Sequence, residues 1–144
     1  MIWKLLNIIF LRALNLNLLS VLILITLCTS AGATEIYWSN SSGGTFQEYG
    51  NWGGSVPGAD DTAIFNTGGN TYTVDMAADQ TNYRMIVNND NVTMNLNGNT
   101  HTITQDWSRT HIGKDAGDNA TLTLTDGIAD YTREVSVGVN TGAT

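Results

Sequence analysis

The sequence is poor in cysteine, proline and positive charge, and each shortage narrows the possible folds and partners. It contains one cysteine, Cys28, and one proline, Pro57, so stability must come from apolar burial and backbone pairing rather than from disulfides. It holds 6 lysine and arginine residues against 13 acidic ones, for a formal net charge of −7. A negatively charged surface repels nucleic acid and anionic lipid, and we therefore expect neither as a partner.

The N-terminal region, residues 1–33, has the pattern of a secretory signal peptide. Lys4 and Arg12 give it a positively charged start, and residues 18–28 form a short apolar run. Small residues follow and end in an A-x-A cleavage site at Ala33. We predict cleavage after Ala33, which leaves a mature chain that is secreted or held at the cell surface.

Two alternatives would keep the chain attached to a membrane. A retained transmembrane anchor needs about 20 apolar residues, and the run over 18–28 is too short. A lipoprotein would be modified at Cys28, but Leu27 stands where a small residue is expected. Cleavage after Ala33 would also remove Cys28, so we expect neither a disulfide nor a stable membrane span in the mature chain.

Short stretches of alternating polar and apolar residues run through the second half of the sequence. Alternation of this kind is typical of strands with one buried face, and the Gly, Asn and Asp residues between the stretches favour turns. No stretch of the mature chain shows the 3.6-residue apolar spacing of a helix. We therefore predict an all-β fold with strands at residues 72–76, 92–96, 102–104, 120–124 and 135–137.

An internal repeat suggests how these strands are arranged. Ile112-Gly113 matches Val137-Gly138 at an offset of 25 residues, within the range of stacked solenoid coils. Stacking lets each coil cover the apolar face of the next. The predicted inner rows consist of Val74, Met94, Leu96, Ile103, Ile112, Leu122, Leu124 and Val137. Glycines that would allow unusual backbone angles at the corners are Gly98, Gly113, Gly127 and Gly138.

The segment 51–65, NWGGSVPGADDTAIF, resembles the N-terminal start of large bacterial surface proteins with autotransporter-type β-strand repeats. Many of that family end in a PEP-CTERM sorting tail or a dockerin-like module. Residues 83–104 and 111–127 resemble the family's stacked coils, in which an I/V-G corner precedes a strand. The resemblance implies a right-handed parallel β-helix and an extracellular or cell-surface role. It carries over no catalytic residue and no cofactor.

The mature chain divides into two regions by composition. Residues 34–70 are rich in aromatic side chains and glycine pairs, and we predict that they form an N-terminal cap. Residues 71–144 contain the short strands and are expected to form the coils. The last residues, 142–144, match the point at which the preceding repeat enters its next strand, so the coil region is expected to be truncated at its C-terminal end.

Two groups of acidic residues are candidate calcium sites, since calcium prefers oxygen ligands. They are Asp60 with Asp61, and Asp115 with Asp118 and Asn119. Neither group has the spacing of a known calcium loop, and solvated turns are the alternative. The sequence leaves the question of a metal site undecided.

The two histidines of the sequence have no partner at a metal-binding spacing. His101 and His111 are separated by ten positions. His101 has the same parity as Ile103, so the alternation predicts that its side chain points into the core. A buried, hydrogen-bonded histidine is the expected role, rather than a metal ligand or a catalytic group.

The aromatic residues Trp38, Tyr49 and Trp52 permit two interpretations. They could form an exposed platform on which sugar rings stack. They could instead close the open end of the coil stack, which would otherwise expose apolar core and unpaired strand edges. We favour the second interpretation.

These observations predict a secreted or cell-surface β-helical protein with a structural or adhesin-like role and no catalytic activity. A polysaccharide or another cell-surface ligand is the expected partner. One alternative is a carbohydrate-active β-helix enzyme such as a polysaccharide lyase, which would need a calcium cluster and a basic residue on one outer face. The mature chain offers few such residues, namely Arg84, Arg109, Lys114 and Arg133. Another alternative is a carbohydrate-binding module that uses the tryptophans.

Overall fold

The computed structural model describes residues 32–105 and 110–138, which consist of short strands and one 3₁₀ helix at Tyr49–Trp52. The strands are β1 Glu35–Trp38, β2 Gly44–Thr45, β3 Thr62–Phe65, β4 Thr71–Asp75, β5 Gln80–Asn82, β6 Arg84–Val87, β7 Asn91–Asn95, β8 Thr100–Ile103, β9 Thr110–Ile112, β10 Thr121–Thr125, β11 Ile128–Tyr131 and β12 Val135–Val137. No helix within these two ranges is long and apolar enough to cross a membrane.

The strands form three sheets, and every pair of neighbouring strands is parallel. Sheet A has the order β1-β3-β6-β9-β12, sheet B has the order β10-β7-β4-β2, and sheet C has the order β11-β8-β5. From β3 onward the chain visits the sheets in the constant sequence A, B, C. The prediction of an all-β fold is therefore confirmed. Strands from the region 34–70 also belong to these sheets, since β3 pairs with β6.

The predicted 25-residue repeat is present in sheet A. Val137 in β12 pairs with Ile112 in β9, and the pairing continues through His111 and Thr110. Other neighbouring strands are separated by different lengths of chain. Val92 lies beside Tyr72 in one pair and beside Leu122 in the next, so the offset is 20 residues in the first pair and 30 in the second. The turns between strands therefore vary in length while the register of the strands is kept.

The core lies between the inner faces of the three sheets. Of the predicted inner rows, five members are buried, namely Val74, Met94, Leu96, Ile103 and Ile112. Leu122 and Leu124 are only partly buried, and Val137 is 70% exposed, contrary to the prediction. These three residues belong to β10 and β12, which are the outermost strands of their sheets among the described residues, so only one neighbouring strand covers each of them.

Three of the four predicted corner glycines have the expected positive φ: Gly98, Gly113 and Gly138. The prediction is wrong for Gly127, where the left-handed conformation belongs to Asp126, with a φ of 52°. Gly127 is needed for a different reason. A Cβ atom at this position would collide with the Leu96 side chain and the carbonyl oxygen of Asn99.

Candidate functional site

Aromatic side chains from residues 38–72 pack together in the core. Trp52, from the 3₁₀ helix, packs edge-on against Trp38 of β1 with ring centroids 5.0 Å apart. It also lies 4.8 Å from the ring of Phe46, whose carbonyl oxygen accepts a hydrogen bond of 2.6 Å from Trp52 Nε1. On the other side, the rings of Trp38 and Tyr72 stack at 6.1 Å. Such pairs add to the stabilisation that comes from burial alone.

This arrangement argues against an exposed sugar-stacking platform. Trp38 is 2% exposed and Trp52 is 3% exposed, so neither ring is available to a ligand. Tyr49 is 64% exposed and is the one member of the predicted trio on the surface. The two tryptophans are therefore core residues.

A second cluster links three consecutive strands of sheet C through His101. This side chain is fully buried in β8. Its Nε2 lies 3.0 Å from Asn82 Oδ1 in β5, and its Nδ1 lies 3.0 Å from the Tyr131 hydroxyl in β11. The prediction that His101 points into the core is confirmed.

The hydrogen bonds of this histidine indicate which of its ring nitrogens carries the proton. Asn82 Nδ2 donates to the carbonyl oxygens of Pro57 and Gly58, which leaves Asn82 Oδ1 as the acceptor for His101 Nε2–H. The unprotonated Nδ1 then accepts a hydrogen bond from the Tyr131 hydroxyl. Burial lowers the pKa of His101 from 6.5 to about 4, and burial raises the pKa of Tyr131, so the histidine stays neutral and the tyrosine stays protonated.

We expect stability to fall as the pH drops from about 6.5 to about 4, because of His101. The unfolded chain takes up the proton at its ordinary pKa of 6.5, whereas the folded chain resists it until about pH 4. Acid in this window therefore favours unfolding, by about 3 kcal/mol in total if the whole shift is expressed. Urea unfolding at several pH values would measure how steeply the free energy of unfolding changes with pH.

The matched comparison is His101→Gln, which removes the titrating group and puts in its place an uncharged amide that can still hydrogen-bond. The carboxylates and His111 are present in both proteins, so the difference between the two pH profiles isolates His101. Equal slopes for the two proteins between pH 6.5 and 4 would contradict the assignment.

A third polar cluster surrounds the fully buried carboxylate of Asp90, in the turn between β6 and β7. Asp90 Oδ2 accepts hydrogen bonds from Thr67 N at 2.6 Å, from Thr67 Oγ1 at 3.0 Å and from the Tyr72 hydroxyl at 2.8 Å. Oδ1 accepts from Gly69 N at 2.9 Å and Asn70 N at 3.2 Å. The carboxylate thus orders the turn at residues 67–70, which leads into β4, the strand that pairs with β7.

The Asp90 cluster also keeps the hydroxyl of Tyr72 protonated. Burial, and then the hydrogen bond to Asp90, raises the pKa of Tyr72, so this hydroxyl remains a donor. Five hydrogen bonds satisfy the carboxylate without a cationic side chain among these five donors. This pattern indicates a structural role, in which the charge orders a turn, rather than a catalytic one. This role could not be predicted, because in the sequence Asp90 resembles the other aspartates of the turns.

The two candidate calcium sites have the contacts of ordinary turns. Asp61 Oδ2 accepts a hydrogen bond of 2.9 Å from Gly58 N, and Asp118 Oδ2 accepts one of 2.9 Å from Asp115 N. The Nζ atom of Lys114 lies 3.7 Å from Asp115 Oδ1. Within residues 32–105 and 110–138, no group of three or more His, Cys, Asp or Glu side chains could hold a metal ion.

The remaining sequence-predicted residues do not gather at one place. Asp60 is an exposed turn residue, Asn119 donates its backbone N–H to Asn89 Oδ1, and His111 is half-buried in β9. Arg109 lies outside the described residues, as do residues 1–31 of the predicted signal peptide. The structure therefore brings together aromatic and polar residues that stabilise the stack, and it does not assemble the predicted acidic residues or histidines into a common centre.

No family model, curated protein or solved structure was found to match this chain. The resemblance to autotransporter-type repeats therefore stays a prediction. The geometry shows parallel sheets whose buried polar groups hydrogen-bond to neighbouring strands and turns.

Proposed function

We propose that the protein is a secreted or cell-surface β-helical protein with a structural or adhesin-like role and no catalytic activity. The observation that carries the proposal is the constant A, B, C order in which the chain visits three parallel sheets. A coil of this kind presents long outer faces on a rigid frame, which suits display or attachment more than chemistry within a pocket.

The handedness of the proposed β-helix follows from a general rule. A connection between two parallel strands of one sheet is right-handed in the great majority of known cases. Each coil here makes such a connection, for example from β3 to β6 through β4 and β5. We therefore propose a right-handed solenoid in which residues 34–70 form the cap and residues from 71 onward form the coils.

The three polar and aromatic clusters support a structural role. His101 and Asp90 are both fully buried and both exchange hydrogen bonds with neighbouring levels of the stack. A catalytic carboxylate or histidine must reach a substrate, and neither of these side chains is exposed to solvent. Trp52 is likewise enclosed. These groups hold adjacent coils together.

Export is the first testable consequence of the proposal. Expression of the full chain in a secreting bacterium should yield protein outside the cytoplasm that begins at Thr34 or within a few residues of it. The positive start, the short apolar run and the site at Ala33 give the physical reason. N-terminal sequencing of the recovered protein makes the measurement.

The control for export is Arg12→Glu together with Lys4→Glu, which removes the positive start and should reduce the exported fraction. A product that still begins at Met1 and sediments with membranes would contradict the proposal. The same purified protein should adsorb to cells or to immobilised surface polysaccharides without shortening them. Release of oligosaccharides from an acidic polysaccharide would favour the lyase alternative instead.

A further inference from the structure

The outer face of sheet B carries an unusually uniform set of side chains. Strands β4, β7 and β10 each point three residues away from the core, since their alternate residues face inward. The outward residues are Thr71, Thr73, Asp75, Asn91, Thr93, Asn95, Thr121, Thr123 and Thr125. Six of these nine positions are threonine, whereas residues 34–144 contain 18 threonines among 111 residues. The face is therefore strongly enriched in threonine.

The strand register places these side chains on a regular two-dimensional array. Thr93 pairs with Thr73 on one side and with Thr123 on the other, and both strand pairs are in register over five residues. Neighbouring members of a row are therefore about 4.8 Å apart across the strands, and about 6.6 Å separates outward residues along one strand. Each threonine presents one hydroxyl and one methyl group at a repeated position.

The charge of this face differs from that of the rest of the chain. Its single carboxylate, Asp75, accepts a hydrogen bond of 3.1 Å from Asn95 Nδ2, and no cation or aromatic ring is among the nine outward residues. The outer face of sheet A, by contrast, carries Glu35, Tyr37 and Arg84. A nearly neutral face on an acidic protein is complementary to a neutral surface rather than to an ion.

We propose that the outer face of sheet B binds ice. A threonine hydroxyl both donates and accepts hydrogen bonds, so each can hold one ordered water molecule, while the neighbouring methyl group limits competing water positions. Water molecules held at these regularly spaced positions form an ordered layer, to which a growing ice surface can add. Sugar binding commonly uses aromatic stacking, which this face does not offer.

The inference goes beyond the proposed structural role and does not depend on it. The test grows ice slowly from a solution that contains the purified exported chain and a reference protein that does not bind ice. Wild-type protein should be enriched in the ice fraction relative to the reference, and it should slow recrystallisation of ice in frozen sucrose. Ice itself is the probe in both measurements.

Two variants place a long charged side chain on the array, namely Thr93→Lys on the interior strand β7 and Thr123→Lys on the outermost strand β10. Each should reduce incorporation into ice at least about tenfold, the effect of losing roughly 1.4 kcal/mol of binding. The matched control is Thr102→Lys, since Thr102 is half-buried, points outward and lies on a strand with neighbours on both sides in sheet C, as Thr93 does in sheet B. Its incorporation should equal that of wild type.

Three results would overturn the inference: exclusion of the wild-type protein from ice to the same extent as the reference, unchanged incorporation of folded Thr123→Lys, or an equal loss in Thr102→Lys. Circular dichroism establishes that each variant is folded. If the wild-type chain is excluded from ice but binds an insoluble neutral glucan in a Thr123-dependent way, the face is a polysaccharide site and the ice assignment is wrong. Failure of cell adhesion would affect the proposed function alone.

Discussion

Replacement of Asp90 by alanine is expected to lower the free energy of unfolding by about 4 kcal/mol. Hydrogen bonds to a charged acceptor contribute about 1.5–3 kcal/mol each, and partly hydrated donors recover some of this from water. The variant removes the acceptor for Thr67, Gly69, Asn70 and Tyr72 at once, and the Tyr72 hydroxyl lies where water does not readily replace it. Equilibrium unfolding in urea gives the change as a shift in midpoint.

The matched control for this prediction is Asp60→Ala. Asp60 is also an aspartate in a turn, but it is exposed, and surface substitutions of this kind usually change stability by less than about 0.5 kcal/mol. Tyr72→Phe removes only one of the five hydrogen bonds to Asp90, so its loss of unfolding free energy should lie between those of Asp90→Ala and Asp60→Ala. If Asp90→Ala does not fold, Asp90→Asn provides the measurement, since it keeps the shape and loses the charge. An Asp90→Asn protein as stable as wild type would show that the buried charge is not needed.

Replacement of Trp52 by alanine is the second change for which we expect a large effect, about 3–5 kcal/mol. The variant leaves a cavity among Trp38, Phe46 and Phe65 and frees the carbonyl oxygen of Phe46. Because Trp52 packs against core residues of β1 and β3, the loss should lower the midpoint of the unfolding transition. Thermal and urea unfolding followed by far-ultraviolet circular dichroism would measure it.

The control is Tyr49→Ala, which removes an aromatic ring from the same 3₁₀ helix at an exposed position. We expect a change within about 0.5 kcal/mol there. Trp52→Phe should cost less than Trp52→Ala, because it fills part of the cavity but cannot donate to Phe46. A plug is disproved if Trp52→Ala is no more destabilising than Tyr49→Ala.

Alternation in the sequence predicted the strands that have one buried face. The predicted stretches 72–76 and 92–96 correspond to β4 and β7, and the same holds for β8, β10 and β12. Strands β3 and β6 could not be predicted from alternation, because both faces of sheet A are buried at these two strands. Ile64 and Ile86 point away from the core residues and are nevertheless buried, so these strands read as continuous apolar runs.

The partners within the polar clusters could not be predicted for a different reason. The parity of His101 with Ile103 correctly indicates an inward side chain, but its partners Asn82 and Tyr131 lie 19 and 30 positions away along the chain. A single repeat length does not locate both of them, since the offset changes from one pair of strands to the next. The hydrogen-bond donors of Asp90 could not be predicted for the same reason, because they belong to a turn about 20 residues earlier in the chain.

The unequal offsets between paired strands have a consequence for how such a chain can change. Thirty residues separate Val92 from Leu122, against 20 between Tyr72 and Val92, yet both pairs keep the same register. The additional residues include the exposed turn at 115–117. Loop closure becomes only slightly more costly as a loop lengthens. Peptides grafted into this turn should therefore be displayed at the surface without disturbing the strands on either side, which makes the corners the natural place for sequence diversity to accumulate.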